Sequence, residues 1–591
     1  MLKIVIISGG TGSIALQKGF NNLFGYQNYQ LRVIINAFDN GKSTGVCRRV
    51  FDNQILGPSD LRKNQLTCFE IVHEDSLNNP DSYESKLYNL FEKRYSAENY
   101  KAFYDLANQI IHESSFLSEQ HRFLFQKWLD FFFFTDKEKG VWRPTTINEK
   151  YIDFSLSNIF YASAAALSHY SLDDAGTTMA SVLQIPDNVF LVSDISLILK
   201  AITKSGHIIE DEGDIVTWDN PKDKIARDIL FKNNSIEYEP SVDENNHKKI
   251  SSVIQEADLL IFSTGTQWSS LIPTYLHKGF YELVKNSKAK KYLIMNNVED
   301  RDMTGVSAEE MMGILHPYLP VEDVTVVIND SAVASMKTVP AKFKSIHGEL
   351  SEANSKKHNP NAVVRLIMND FFEIKKDNLL ISDLDGTLWN EKGDENELLI
   401  SSENLRLFMG IILSGNSEEH VQEICFKYLN PNNDNFIYCN YGNTYFSLKD
   451  PTPKILAPRF FIGKDLENLF NSKGEYKDKV RVRGNSILTI KPLIDRQKEL
   501  QNINLLLQGF QTKYIARIAG RTSIDIMKDD FEKDATLRII LDKMNKKPED
   551  AIYLGNEIRD GNDRCVEKTG IKCINLKDVF ETNVFLKTFY K

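Results

Sequence analysis

No two of the six cysteines, Cys47, Cys68, Cys425, Cys439, Cys565 and Cys573, stand at CxxC spacing. A disulfide scaffold or a cysteine-based zinc site is thereby disfavoured, and the thiols read as reduced and structural. Apolar stretches of membrane-spanning length, about 20 residues, are also missing. The opening "MLKIVIISGG" is short and runs into glycines, as a buried strand does and a signal peptide does not. The expectation is a soluble, cytoplasmic protein with no membrane partner. Positive charge is not in excess, since 71 Lys and Arg face 81 Asp and Glu for a formal net charge of −10. Nucleic acid is therefore not an expected partner, whereas small anions remain so. Solenoid-period repeats are absent. His207, in "KSGHIIEDEGDIV", has no serine and acid arrangement around it that would make a hydrolase triad, and it reads as structural. A further absence concerns "FDNGKSTG", Phe38 to Gly45, which ends in the letters of an ATP-binding loop. The Walker pattern needs a glycine five positions before Gly41, and Asn36 stands there. This stretch is not a standard P-loop.

At 591 residues, 42% hydrophobic and 26% charged, the chain is long enough for two or three cores. "KIVIISGGTGSIALQKGF" reads as strand, tight loop and helix, and "LRVIINAF" as a second buried strand. "NVFLVSDISLILKAI", "ADLLIFSTGTQWSSLIPTYL" and "KKYLIMNNVED" suggest further strand and helix pairs. Such alternation predicts an α/β fold in which a parallel sheet is wrapped in helices. Between Asn78 and Glu138 the aromatic-rich, charged pattern predicts an inserted helical bundle. A fresh strand, "LLISDLDGTL", restarts the rhythm. The boundary is placed near Lys375, giving domains 1–374 and 375–591.

"SGGTGS" places Gly9, Gly10, Thr11 and Gly12 between a strand and a helix, where free N–H groups and the positive helix end converge on one spot. Taken alone, this is either a phosphate cradle or a tight turn of an ordinary α/β domain. Together with "NAFDNGKSTGVCRR", "GPSDLRKN", "SLSNIFYASAA", "IQEADLLIFSTGTQWSSLIPTYL" and "YLIMNNVEDRDMTG", it resembles the 2-phospho-L-lactate transferases and their gluconeogenesis-factor relatives over roughly the first 370 residues. The resemblance implies a Rossmann-like domain with a magnesium-assisted site for a nucleoside-diphosphate-linked small molecule, linked to guanosine or uridine diphosphate. It implies that Asp39, Asn40 and Asp60 line the reaction centre, either holding metal or orienting an acceptor hydroxyl. Asn40, Gly41, Lys42 and Ser43 would share the phosphate site with the glycine loop. Asn158, Gly265, Ser269 and Ser270 would complete the pocket, and Trp268 would line it or merely pack. Lys42 replaces a glycine common in the relatives, and it either adds charge near a phosphate or sits at a solvent-facing turn. A homodimer is a further implication of the resemblance.

In the second half, "LLISDLDGTLWN" places Asp383 and Asp385 just past a buried strand, where alternate residues could aim both acids into one pocket. A bare DxD is as readily a polar turn. "DLDGT", the Ser414 of "GIILSGNS", the Lys533 of "DDFEKDATLRIIL" and "DAIYLGNEIRDGND" together resemble, in order, the four motifs of haloacid dehalogenase superfamily phosphohydrolases. That resemblance implies Asp383 as nucleophile, Asp385 as acid and base, and Ser414 with Lys533 on the phosphoryl oxygens. Magnesium would be held by Asp383, the Asp385 carbonyl, Asn556 and Asp560. Asn556 stands where the family usually has Asp, and Asp560 and Asp563 remain. It also implies a core at 375–417 and 524–591 with a C2-type α+β cap at about 418–523. Two functional readings follow. One is a bifunctional enzyme joining group transfer to phosphomonoester hydrolysis; the other is a nucleotide-sugar-binding regulator with a weak or inactive phosphatase half.

Overall fold

Ile4, Val5, Ile6 and Ile7 are all buried, so the first strand is covered on both faces, as a central strand of a parallel sheet must be. The computed structural model describes residues 1–10, 12–232, 236–242, 247–352, 355, 357–375, 377–491, 493–519, 522–556, 558 and 563–590. The chain divides into two units, Leu2–Phe371 and Phe372–Lys591.

The first unit is built on a seven-stranded sheet. Its strands are β1 (Leu2–Ser8), β2 (Tyr29–Ile35), β3 (Val189–Leu191), β4 (Leu259–Phe262), β5 (Lys290–Ile294), β6 (Val324–Asn329) and β7 (Ser345–Gly348). The order is β7-β6-β5-β4-β1-β2-β3, and every neighbouring pair is parallel. The chain leaves β1 and turns outward to opposite sides of the sheet at β4 and β2. That is a switch point, and the loops at its carboxyl end form a crevice. Helices α1 (Gly12–Phe24), α2 (Lys42–Val50), α3 (Pro58–Val72), α4 (Leu156–Leu167) and α5 (Glu212–Thr217) carry the residues around that crevice.

The expected helical insertion is present as helices Tyr83–Glu92, Tyr100–Glu113 and Glu119–Phe133. Side chains of Ser82, Asn99 and Ser118 cap their N-termini, supplying acceptors to otherwise unpaired N–H groups. Phe125 stacks on Phe160 of α4 with ring centroids 4.7 Å apart, which anchors the bundle to the sheet's helical layer. One segment departs from expectation. "NVFLVSDISLILKAI" yields β3 and then a strand, Ile198–Thr203, in a separate four-stranded antiparallel sheet, with no helix between them. Leu199, Lys200 and Ala201 are all buried on that strand, and the link Ser193–Ser196 is too short for a helix.

The second unit has a seven-stranded sheet of β8 (Leu379–Ser382), β9 (Ile411–Leu413), β10 (Phe436–Cys439), β11 (Thr444–Ser447) and β12 (Lys454–Ile455). It also holds a four-stranded sheet of β13 (Val480–Arg483), β14 (Ile487–Ile490), β15 (Tyr514–Ala519) and β16 (Ser523–Lys528), after which β17 (Ala551–Gly555) and β18 (Lys572–Asn575) rejoin the first. The large sheet runs β12-β11-β10-β9-β8-β17-β18, parallel from β10 to β18 and antiparallel at its other edge. The smaller sheet, β13-β14-β16-β15, is antiparallel throughout. Helices α6 (Glu418–Tyr428) and α7 (Lys533–Lys543) follow β9 and β16. The architecture is thus α/β with two parallel-sheet units, as the strand and helix rhythm indicates. Among the described residues no helix is long and apolar enough to cross a membrane.

Candidate functional site

In the second unit the polar residues gather where β8, β9 and β17 end. Lys533, the first residue of α7, is 2% exposed, and its Nζ donates to Asp383 Oδ1 at 2.9 Å and to Asp563 Oδ1 at 2.6 Å. Tyr553, on β17, completes the cluster: its hydroxyl donates to Asp563 Oδ1 at 2.9 Å and lies 3.3 Å from the Lys533 ammonium. Asp563 is fully buried, and its Oδ2 has no hydrogen-bond partner among the described residues. One ammonium therefore faces two carboxylates. Burial raises the Asp383 pKa, with Asp563 and Asp385 adding to the rise and Lys533 opposing it. Burial opposes the charge on Lys533, but Asp383 and Asp563 and the hydrogen bonds to them outweigh it and hold the ammonium protonated.

The second acid, Asp385, lies on the turn after β8. Gly386 makes that turn at φ +76°, and a Cβ there would come 2.2 Å from Asn556 Nδ2, so Asn556 is pressed against the turn. Thr387 Oγ1 also reaches Asn556 Oδ1 at 3.4 Å. Asp385 Oδ2 accepts from Asn416 Nδ2 at 2.8 Å and lies 3.5 Å from Ser414 Oγ, while Oδ1 faces His420 Nε2 at 3.3 Å. The Ser414 turn is held from the smaller sheet. Arg483 Nη1 donates to the Gly415 carbonyl at 2.8 Å while Nη2 pairs with Asp525. Asp383 thus meets Lys533, Ser414 meets Asp385, and Asn556 sits beside both acids' turn. Asp560 lies outside the described residues.

In the first unit the glycine turn after β1 is packed too tightly for any side chain. A Cβ on Gly9 would meet Ser270 at 2.4 Å, one on Gly10 the Asp60 carboxylate at 2.6 Å, and one on Gly12 the Thr264 carbonyl at 1.9 Å. Asn64 of α3 locks this turn by donating to the carbonyls of Gly10 and Asp60 at 3.0 and 2.9 Å. It accepts in turn from Ser13 Oγ at 2.6 Å and Gln17 Nε2 at 2.8 Å. Asn36 ties the end of β2 to the Ser270 carbonyl at 2.6 Å. Gly9, Gly10, Asp60 and Ser270 are thereby assembled in one place. Thr11 lies outside the described residues.

"FDNGKSTG" bends beside that turn. Asp39 Oδ1 accepts the Gly41 N–H at 2.8 Å, and a Cβ on Gly57 would come 2.4 Å from the Asp39 carbonyl oxygen, so the start of α3, which carries Asp60, packs closely against the loop. Asn158 of α4 donates to Ser43 Oγ at 3.1 Å, leaving its own buried Oδ1 without a partner among the described residues. The Asn40 Oδ1 is likewise buried and unpartnered among them, and its Nδ2 faces Asp211 at 3.5 Å. Lys42 turns outward, 80% exposed and 3.8 Å from Asp153, at φ +43°. The solvent-facing alternative for Lys42 is the one observed, on a left-handed backbone that a glycine adopts with less strain.

Two acids escaped the reading from sequence. Asp211 caps α5 by accepting the Gly213 N–H at 2.9 Å, and Glu212 follows it. Burial first, then the charges of Asp39, Asp60 and Asp211, push the Glu212 carboxyl up to about 8. Burial also raises Asp60, with Asp39 adding to the rise and Lys63, 3.4 Å away, opposing it. Four acids thus share one electrostatic neighbourhood. The segment "KSGHIIEDEGDIV" looks like a strand with a turn, and its acidic run resembles a solvated face. Its short helix becomes visible as part of the crevice only when the antiparallel sheet is folded.

The residues 265–270 contribute differently from the expectation. Gly265 is held by Asn296, whose Oδ1 accepts its N–H at 3.3 Å and whose Nδ2 donates to its carbonyl at 3.0 Å. Gln267–Leu271 forms a π-turn, and the N–H groups of Trp268 and Ser269 donate to Asp302 Oδ2 at 2.9 and 3.2 Å. Those amides already have a carboxyl oxygen as their partner. Ser269 Oγ donates to Thr266 Oγ1 at 2.6 Å, and Thr266 Oγ1 to Ser270 Oγ at 2.9 Å. Trp268 is buried and packs in the core.

These features define an α/β protein whose first unit gathers acids and backbone amides at the switch point of a parallel sheet. The chain belongs to the 2-phospho-L-lactate transferase CofD family, whose profile matches residues 4–368. The gluconeogenesis factor of Listeria innocua is 23% identical over 294 residues, which cover 50% of this chain and 66% of that protein. The match therefore spans less than two thirds of that relative's length. A Bacillus halodurans protein of the UPF0052 family, solved by crystallography, is 18% identical and covers 62% of this chain and 99% of its own, with a TM-score of 0.41. An N-terminally truncated Plasmodium falciparum IMP-nucleotidase is 16% identical and covers 39% of this chain and 75% of its own, with a TM-score of 0.29.

Proposed function

We propose that the protein is a bifunctional, magnesium-dependent enzyme. Its first unit transfers a phosphate-bearing group from a nucleoside-diphosphate-linked donor to a hydroxyl, and its second hydrolyses a phosphomonoester. The observation that carries the reading is the Asp383–Lys533–Asp563 cluster with Asp385 one turn away. A phosphate dianion is repelled by a carboxylate, so a single lysine shared between two acids leaves the site short of positive charge. The donor set suits a hard cation. Asp383 and Asn556 offer oxygens beside the turn, and the buried Asp563 Oδ2 shows that negative charge there is not fully matched. Asp383, the Asp385 carbonyl, Asn556 and Asp560 would hold magnesium, which supplies charge neutralisation for the reacting phosphate.

Hydrolysis proceeds in two displacements. A carboxylate oxygen of Asp383 bonds to phosphorus as the ester P–O bond breaks, and Asp385 gives its proton to the departing oxygen. Asp385 then takes a proton from water as that water's oxygen bonds to phosphorus and the aspartyl-phosphate P–O bond breaks. Orthophosphate leaves, Asp383 is again a carboxylate and Asp385 again carries its proton. Ser414 and Lys533 hold the phosphoryl oxygens.

In the first unit the Gly9–Gly12 turn cradles the donor's phosphates at the start of α1, with Gly41 and Ser43 beside it. Asp39 and Asp60 hold magnesium or take the acceptor's proton as its oxygen bonds to phosphorus and the bridging P–O bond to the nucleotide breaks. A second reading of this unit is a regulator that binds a nucleotide sugar without turnover, with which a relative named as a factor rather than as an enzyme is compatible.

The test is phosphate release from a broad panel of phosphomonoesters, with and without magnesium. Wild-type release that Asp383→Asn abolishes supports the hydrolase reading; no release from any ester sinks it. Calorimetry with guanosine and uridine diphosphate conjugates, followed by mass spectrometry for product, separates transferase from sensor.

A further inference from the structure

We infer that His420 is a positioning residue for Asp385, and that with Asn416 it clamps both oxygens of the acid so that its proton is aimed at the leaving oxygen. The inference rests on the hydrolase reading above. A carboxyl on a free side chain rotates about two bonds, and general acid catalysis requires it to stay within hydrogen-bond reach of the departing atom. Asp385 is partly exposed, so packing alone does not hold it. Its Oδ2 accepts from Asn416 Nδ2 at 2.8 Å and its Oδ1 faces His420 Nε2 at 3.3 Å.

Both donors are themselves anchored. The Asn416 N–H donates to Ser414 Oγ at 3.0 Å, and the Asn416 carbonyl accepts the Asn440 N–H at 2.8 Å. His420 lies in the first turn of α6, only four residues beyond Asn416. In the Nε2–H tautomer, and equally in the imidazolium, the ring donates to Oδ1, so the clamp needs no change of protonation at His420. Oδ1, which faces only His420 among these side chains, retains a second lone pair for the transferred proton, whereas Oδ2 is approached by both Asn416 and Ser414. Glu391 and Glu423 face the same ring at longer range and favour its charged form, which still donates from Nε2. The competing account is an exposed ion pair with little effect on anything.

Leaving-group dependence separates the two. An alkyl phosphate needs its leaving oxygen protonated, whereas a 4-nitrophenyl phosphate expels a stabilised phenolate and does not. The readout is kcat/KM, which reports steps up to loss of the leaving group, for 4-nitrophenyl phosphate and for the sugar phosphates that the wild type accepts. His420→Leu is expected to lower the alkyl-to-aryl ratio by about 10-fold or more, the size of effect that a small misplacement of an acid produces. His420→Gln, which keeps an N–H at similar reach, restores most of the ratio. An unchanged ratio in His420→Leu, or equal losses on both esters, overturns the inference while leaving the hydrolase reading intact. A wild type that hydrolyses only the aryl ester also overturns it, because no general acid is then in use. A wild type that hydrolyses neither removes the hydrolase reading as well. Should His420→Leu fail to fold, His420→Asn against His420→Gln applies the same ratio, and equal ratios in all folded variants count against the clamp.

Discussion

Glu212 sits in an environment that opposes its charge, half-buried beside three other acids and pushed from its ordinary value near 4.5 up to about 8. A carboxyl whose pKa is raised on folding binds more protons in the native than in the unfolded state between those values, so stability falls as pH rises through that window. In the presence of a chelator, Glu212→Gln should therefore raise Tm at pH 8, by about 1–3 °C, and the gain should vanish near pH 4.5. Added magnesium should shrink the gain at pH 8, because a bound cation relieves the same repulsion. Scanning calorimetry across pH decides both. Tyr553 makes a second case. Tyr553→Phe removes one of two donors on Asp563 Oδ1 and should lower phosphatase kcat by about 10-fold without abolishing it, since Lys533 remains. Asp383, Asp385, Ser414 and Lys533 were legible as candidates because four ordered motifs that resemble those of a phosphohydrolase superfamily carry them, where a DxD alone would read as a polar turn. Tyr553 and His420 were not, because their roles depend on which helix or strand end faces the carboxylates.

At the scale of elements, the turn between β1 and α1 depends on contact more than on conformational freedom. Gly9→Ala would press a Cβ against Ser270 at 2.4 Å, where backbone as well as side chain must yield. A cost of about 1–3 kcal/mol is expected from overpacking, together with loss of nucleotide binding, measurable by denaturant unfolding and calorimetry. Asn64→Ala should cost a similar amount by another route. It leaves the buried Gln17 amide without its acceptor and the Gly10 carbonyl with the Ser13 hydroxyl as its remaining side-chain donor. The apolar runs of β1 and β4 announced themselves because both faces of those strands are buried, and in β1 most of the residues are β-branched. The segment 189–203 did not, because its short polar interruption permits a helix or a second strand equally, and only pairing with Ile225–Lys232 selects the strand.

For the molecule as a whole, the prediction is separability. Asp383→Asn should abolish phosphate release and leave binding of nucleoside-diphosphate conjugates unchanged, while Asp60→Asn should do the reverse, each measured on the full chain by phosphate assay and calorimetry. Loss of both functions from either substitution would count against two independent centres. The α/β class was readable throughout, since strand and helix alternation survives in composition and spacing. The acidic neighbourhood of the first unit was not, as Asp39 and Glu212 are brought together only by tertiary folding. The π-turn at Gln267–Leu271 has one more consequence. Asp302, its carboxyl pushed up to about 7 by burial, is a tethered acceptor whose effective concentration at the Trp268 and Ser269 amides is set by the fold rather than by the solution. Free phosphate or sulfate therefore meets a resident competitor there that dilution cannot remove, and a ligand using those amides must carry an affinity large enough to evict it.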